Sequence, residues 1–456
     1  LMLFNPLQID VGDASAAALS IKTDVETGKN HGVYRKDEQG NVGRFLHKQS
    51  VEMLLSQGDA DAHGRVDIDT GAIILSTDIM NALYALVADG DAFRAFVNDR
   101  ARLSFYADFL YPLASESTFE QYLCETPEGA FTAGWAACRN IPGPVLRAHR
   151  LKLIRLSPAS FIHIGTTREL LHLMTEDLQS YSLLDWSANV LTNNRAGHFA
   201  ASNAFVSWRA ELGAGTYVED SYIHSGSAIG RGCVISGVTL DGQSVPDGAV
   251  LHGLKLMDGR FIARMYGVSD NPKENRLFGR ELPEPLWTAP LYPPRDSMVE
   301  AVTATLEKFA RSAVGSPEPD CLSLRDSFAQ ADVRAILPWQ EKLSDKVQVE
   351  SVLEAIDSRT DLNEAIKVFR HQMSGHAKAL FLRAAQPAEA GGAADPGRAM
   401  RIHYALSKLS HGEEKERYAS QCFRTIRDAT LLSEMEGFCG APGCAIASDQ
   451  VTVRLP

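Results

Sequence analysis

Two hydrophobic periods alternate along the first part of the chain. Short β-rich runs at Val33–Tyr34, Arg44–His47, Asp67–Leu75 and Leu151–Leu156 are separated by helical patterns such as Ser50–Gln57 and Thr77–Val87. In the last of these Ile79, Met80, Leu83 and Leu86 recur at helical spacing, and Ser76 or Thr77 can cap the start. Alternating strands and helices predict an α/β domain with a mostly parallel sheet over residues 1–200. The pattern then changes over residues 201–282. Tyr217, Ile223, Ile229 and Ile235 recur every six residues, Val245 and Leu251 repeat the step after a slip, and Gly226, Gly230, Gly232, Gly237, Gly242 and Gly248 lie between them. A six-residue apolar period with turn glycines predicts a short left-handed parallel β-helix, with five or six short faces.

Pro283, Pro285, Pro290, Pro293 and Pro294 mark residues 283–295 as a rigid linker. Residues 296–438 then read as an α-helical region, with patterns at Met298–Ala310, Val347–Ile356, Leu362–Ala384 and Met400–Ser410. The Ala/Gly/Pro-rich break Gln386–Gly397 reads as an exposed loop. Residues 439–456 read as a loop and the first strand of a following domain. The chain opens on Leu1 and closes on the alternating segment Gln450–Pro456, so it reads as a piece of a longer polypeptide.

Composition narrows the class. A chain of 456 residues is long enough for two or three domains. A net charge of −12 argues against nucleic acid or an anionic membrane as a general partner, while leaving room for a local basic pocket. No run approaches the ~18 apolar residues that span a bilayer. Residues 1–30 lack a basic segment followed by an apolar one, so a cytoplasmic location is expected. Seven scattered cysteines suit reduced thiols, and Cys439 and Cys444 have no second Cys/His pair nearby for zinc.

Five segments could carry chemistry. In Asn30-His31-Gly32-Val33, His31 could bond a sugar or nucleotide oxygen and Gly32 could let backbone approach a ligand, or the segment is a simple turn. Lys48, at a strand end before a helix, could pair with a phosphate or simply be solvated, with Ser50 as a candidate N-cap. In Asp67-Ile68-Asp69-Thr70-Gly71 alternation puts both carboxylates on one face, where they could hold sugar hydroxyls or a divalent cation. Asp69 is the better candidate, since Gly71 allows close approach; the alternative is a solvated loop. Phe161-Ile162-His163-Ile164-Gly165-Thr166-Thr167-Arg168-Glu169 can place free N–H groups and a hydroxyl at a helix start, where an anion is held. His163 could ligate metal or bond a phosphate oxygen, and Thr166 to Glu169 equally reads as a capping box. Asp108, in the aromatic-rich run Ser104–Leu110, is most simply one polar residue on a helix, with a substrate role as the alternative.

Taken in order, these segments resemble the guanylyltransferase region of the bifunctional L-fucokinase/fucose-1-phosphate guanylyltransferase family. The resemblance covers most of residues 20–280 and includes the hexapeptide coil and Ala263-Arg264-Met265-Tyr266-Gly267; by the same resemblance Val451–Pro456 looks like the opening strand of the kinase-like domain that follows in the fused members. It implies a nucleotidyltransferase that joins GTP and L-fucose 1-phosphate into GDP-fucose, with Mg²⁺ assisting and pyrophosphate leaving. Lys48 would hold the sugar phosphate and Asp69, beside Gly71, the sugar hydroxyls. His31 and Gly32 would border the substrate. Gly165, Thr166 and Thr167 would line the phosphates, and His163, where related sugar nucleotidyltransferases have a metal-ligating Asp, would lie near the metal. The family's Lys-Pro-Ser is Lys48-Gln49-Ser50 here. Its nucleotide-binding Gly-rich loop would precede Leu1, so the chain is expected to hold the sugar half of a site and to need its upstream part for catalysis. A hexapeptide acyltransferase using His224 or His252, and a non-catalytic scaffold, are the competing readings. The oligomeric state is open, a homo-oligomer included.

Overall fold

The computed structural model describes residues 2–4, 8–88, 90–91, 94, 104–124, 137–193, 197–310, 320–358, 362–367, 373–385 and 395–425. They fall into two compact units, Leu1–His163 and Ile164–Pro456. The expected terminal strand, the Cys439/Cys444 loop and most of the Gln386–Gly397 break lie outside the described residues.

Unit 1 is built on a five-stranded sheet. Its strands are β2 (Ala16–Asp24), β3 (Gly32–Lys36), β4 (Val42–His47), β5 (Arg65–Leu75) and β6 (Leu151–Leu156), in the order β4-β3-β5-β2-β6. A small pair, β1 (Met2–Phe4) with β7 (Ala159–Phe161), is antiparallel. The expectation of a mostly parallel sheet is corrected here. The β3/β4, β3/β5 and β2/β5 pairs are antiparallel, and within this sheet only β2/β6 is parallel. Connections as short as Asp37–Asn41 can join only antiparallel neighbours, because a parallel return needs a crossover of a dozen or more residues. β2 had no counterpart among the expected strands. Its Ala-rich start has weak strand preference, yet Ala16, Ala17 and Ala18 are almost wholly buried.

The sheet has two unlike faces. One carries Leu19, Ile21, Val33, Leu46, Val66, Ile68 and Leu156, and buries Leu54 of the short helix Val51–Ser56. Each such buried aliphatic side chain contributes about 1.5–3 kcal/mol. Ser50 caps that helix by accepting from Met53 N–H, as expected. The other face is split. Ala16, Ala18, Leu151 and Leu153 pack against Ile79 of the helix Thr77–Ala88 and against Leu110, Leu113 and Leu146. Val42 and Phe45 join that cluster, whereas Ser20, Lys22, Asp67, Asp69 and Arg155 make the rest of this face polar and frame the site described below.

Unit 2 begins with the helix Thr167–His172 and is organised around a coil of parallel strands. Three stacks run through it: Leu212, Ile229 and Val245; Val218, Ile235 and Leu251; Val206, Ile223 and Leu240. The register advances by 17 residues (Leu212 to Ile229) and then by 16 (Ile229 to Val245). The residues facing the interior are therefore Leu212, Val218, Ile223, Ile229, Ile235, Leu240, Val245 and Leu251. Tyr217 faces outward and packs with Leu171, Ala200, Val234 and Val250, so Val218 is the inward position there, while Ile223, Ile229, Ile235, Val245 and Leu251 face the interior as expected. The coil is longer than the five or six faces expected, since five-residue steps, one in the 17-residue turn and two in the 16-residue turn, interrupt the six-residue period.

The coil ends in an antiparallel hairpin of two strands, Ala249–Lys255 and Phe261–Gly267. The helix Met298–Ala310 closes the coil with Ala301 and Val302, and Thr305 Oγ1 donates to Ala263 O at 2.8 Å. The Pro-rich segment is packed: Leu286, Ala289, Leu291 and Tyr292 are buried with Leu256, Ile262 and Leu277. The expected pattern Val347–Ile356 lies inside the long helix Val333–Ser358, which buries Leu343 and Val347 against Phe205 and Tyr222. Helices Gly375–Ala384, Pro396–Leu409 and Gly412–Thr425 complete a separate apolar cluster.

Candidate functional site at the polar end of the sheet

Four of the sequence motifs meet in unit 1. β3 and β4 form a hairpin in which Gly32 lies opposite His47, and Lys48 N–H donates to His31 O at 3.1 Å. This joins the Asn30-His31-Gly32 segment to the His47-Lys48 strand end. The ring of His163 stands edge-on to that of His31, with centroids 4.9 Å apart, and Phe161 lies 5.8 Å from His31. Gly32 backs directly onto β5: a Cβ there would be 2.8 Å from the Phe45 ring and 3.2 Å from Asp69 Cβ. Its lack of a side chain serves packing against Asp69 and Phe45.

Asp67 and Asp69 lie on one face of β5, as alternation requires, and both are buried. They belong to the strand, so the solvated-loop alternative is excluded. Asp67 is committed to the fold. Arg155 of β6 grips it through Nε at 2.6 Å and Nη2 at 2.7 Å, Ser20 Oγ donates at 3.3 Å, and Lys22 Nζ stands 3.7 Å away. This bidentate pair fastens β6 to β5 across β2. Asp69 is arranged differently. Its Oδ1 accepts from Tyr34 Oη at 2.8 Å and from Gly71 N–H at 2.9 Å. Its Oδ2 takes no hydrogen bond among the described residues. Burial pushes the Asp69 carboxyl up from its ordinary value, against the pull of those two bonds and of His47.

Gly71 has φ +74° at a break in the β2/β5 register, where Thr70 Oγ1 donates to Leu19 O at 2.6 Å. That bulge turns the Gly71 N–H back onto Asp69. Tyr106, from the run Ser104–Leu110, stacks 6.3 Å from Phe45 and has its hydroxyl beside Gly71. Asp108 in the same run is fully buried and paired with Arg139 at 2.5 Å, so it is a structural ion pair and not a substrate contact.

Lys48 is exposed, has φ +48°, and forms no ion pair among the described residues. A left-handed backbone at a non-glycine residue costs about 1–3 kcal/mol and collects at functional positions. Reading the motifs singly missed Tyr34, Ser20, Lys22 and Arg155. The one available signal was that Lys22 and Asp67, like Ser20 and Asp69, face each other across strands, and that register is invisible until β2 is recognised.

Gly165, Thr166 and Thr167 open unit 2. Thr166 is the N-cap of the helix Thr167–His172 in a full capping box. The Glu169 carboxylate accepts from both Gly165 N–H and Thr166 N–H at 2.8 Å. These donors hold an internal anion, so the capping alternative describes them. Among the described residues no three His, Cys, Asp or Glu side chains gather as a metal-holding group, His163 included. Mg²⁺ prefers oxygen ligands, waters and substrate phosphates, and an imidazole pair does not fit it as a protein-built cage.

The two histidines of the acyltransferase alternative sit in the coil. Burial lowers the pKa of His224, and burial with the Arg264 guanidinium pushes His252 down to about 3. A general base works best near the operating pH, and His252 is held far from it.

Comparison with known proteins bears on all of this. A human fucose-1-phosphate guanylyltransferase (Homo sapiens) is 22% identical over 408 residues, covering 74% of this chain and 67% of that protein. The Mus musculus protein of the same name is 22% identical over 398 residues, covering 72% and 67%. The model of the fucose pyrophosphorylase domain matches residues 1–294, which include the whole sheet, the His31/Lys48/Asp69/His163 end and the coil. With well over half its length matched, the chain belongs to the fucose pyrophosphorylase family.

Proposed function

We propose that the chain is a fucose-1-phosphate guanylyltransferase, and that the polar end of its five-stranded sheet holds the sugar phosphate. Two lines support the reading: membership in the fucose pyrophosphorylase family and the names of the two relatives. The observation that carries it is Asp69. Tyr34 and Gly71 fix one of its oxygens and leave the other to accept sugar hydroxyls, beside His31, His47 and the unpaired Lys48.

In the proposed reaction an oxygen of fucose 1-phosphate attacks the α-phosphorus of GTP. A new P–O bond forms, the α–β phosphoanhydride breaks, and pyrophosphate leaves with the electron pair. The protein's task in such a transfer is positioning and charge compensation. Lys48 would pair with the sugar phosphate as a compact cation. Asp69 would orient the ring, and His31 and His163 would border the reacting oxygens as hydrogen-bonding groups. We assign Mg²⁺ to the nucleotide's own phosphates, and no residue role here depends on it. The left hand of the coil, a cytoplasmic location and a parent chain that also carries a fucokinase belong to the same proposal and rest on the resemblance of the motifs.

The test is pyrophosphate release from GTP, Mg²⁺ and L-fucose 1-phosphate, beside calorimetry with the sugar phosphate alone. Binding of fucose 1-phosphate that Lys48→Ala weakens is the expected result. No sugar-phosphate binding and no release, in this chain or in one extended upstream, would overturn the reading in favour of a scaffold.

A further inference from the structure

The coil, its terminal hairpin and the first turns of the helix Val333–Ser358 surround a cavity of about 500 Å³. Ligand pockets span ~300–1,000 Å³. Every lining residue belongs to unit 2. The floor is bare backbone at Gly237 and Gly253, where a Cβ on Gly253 would run into Gly237 O and Met298. Three chemistries meet over that floor.

The first is flat and apolar, from Trp339 of the helix and Phe261 of the hairpin. The second is cationic. Lys255 and Lys342 are exposed and form no ion pair among the described residues. The third is a set of oriented hydrogen-bonding groups. Tyr217 and Ser236 hold the Glu219 carboxylate at 3.0 and 2.8 Å, and Asn203 and Gln340 hold that of Asp220 at 2.7 and 2.6 Å. Both keep lone pairs for further donors. His252 adds a donor. Arg264, which can only donate, bonds its Nδ1, so the neutral ring carries its hydrogen on Nε2. No protein group takes that hydrogen among the described residues.

We propose that this cavity is a second binding site, and that its ligand is a nucleoside phosphate. Asp332 also lines the cavity, but neither lysine is ion-paired to it, to Glu219 or to Asp220 among the described residues, so a polyol would leave both ammonium groups without a partnered anion. Inorganic phosphate would leave Trp339 and Phe261 unused, and an apolar ring would strand the carboxylates and the His252 donor. A nucleoside phosphate answers all three: base against Trp339, ribose hydroxyls to Glu219 and Asp220, phosphates to Lys255 and Lys342.

The experiment uses the full chain with ADP, adenosine and pyrophosphate as probes, followed by calorimetry and tryptophan fluorescence. ADP is expected to bind saturably and quench fluorescence, and Trp339→Phe to remove the quench. Lys255→Glu with Lys342→Glu is expected to weaken ADP about tenfold or more, equivalent to ~1.4 kcal/mol, while changing adenosine little. No ADP binding up to about 1 mM, binding indifferent to these substitutions, or pyrophosphate binding as tight as ADP, would each overturn the proposal. Pyrophosphate release, followed in parallel, reports separately on the guanylyltransferase reading: its silence in every variant would leave the ADP result standing.

Discussion

Replacing Tyr34 by Phe removes one hydroxyl and keeps the ring that packs 5.4 Å from Phe45. Tyr34 is 1% exposed and Asp69 7%, so water cannot readily take the hydroxyl's place. Asp69 Oδ1 would keep only the Gly71 N–H bond at 2.9 Å. A hydrogen bond to a charged group contributes about 1.5–3 kcal/mol, and a neutral one about 0.5–1.5 kcal/mol. The expected loss is therefore about 2 kcal/mol at neutral pH, when the carboxylate is ionised. The pH dependence follows from Asp69, whose folded pKa lies above the ordinary 3.8 because of burial. The folded state binds that proton more tightly than the unfolded one. The stability it contributes is fully present below the unfolded value and is lost as pH rises through the folded value. Removing the Tyr34 bond raises the folded pKa further, so the deficit of the variant shrinks on acidification.

Two units make a single unfolding transition unsafe to assume, so hydrogen exchange at β3 and β5 amides is the suitable readout. An Asp69→Asn background should reduce the Tyr34→Phe loss, leaving a coupling of about 1 kcal/mol. An equal loss in both backgrounds, or a loss unchanged between about pH 4 and pH 7, would refute the assignment of this bond to an ionised buried carboxylate.

Lys48→Ala is expected to raise KM for the sugar phosphate about tenfold through the loss of one phosphate contact, with thermal stability unchanged because Lys48 is exposed and unpaired; steady-state kinetics and a melt check both halves. Glu169→Ala removes the acceptor of Gly165 and Thr166 N–H and should cost about 1 kcal/mol, read as faster exchange of the amides that start the helix Thr167–His172. Gly253→Ala places a Cβ against Gly237 O and 2.5 Å from Met298 Cε, and since a backbone oxygen cannot swing away, a loss of about 1–3 kcal/mol is expected on melting. Wild-type stability in that variant would show that the coil's spacing yields easily.

Local chemistry was legible along the chain wherever it depends on neighbours in sequence. The helices at Ser50, Thr77 and Met298 and the strand Leu151–Leu156 are set by spacing and caps a few residues apart, and they stand where the pattern put them. Side-chain alternation likewise put Asp67 and Asp69 on one face. The coil is likewise legible in its glycines and its period, with Tyr217 the exception, because an outward aromatic packed against the helix Thr167–His172 imitates an inward one.

What only the tertiary structure decided is which of those residues meet. Alanine at positions 16–18 has little strand preference, and burial between two layers makes it the start of the interior strand β2, between β5 and β6. Once β2 is in place, its register sets Arg155 on Asp67 and leaves Asp69 to Tyr34 and Gly71. The sheet direction, the His31–His163 contact and the commitment of Thr166 to Glu169 all depend on which groups are left for one another after packing. Sequence alone determines the local periods and the residue types; long-range pairing is chosen by the burial of whole faces, which no local pattern encodes.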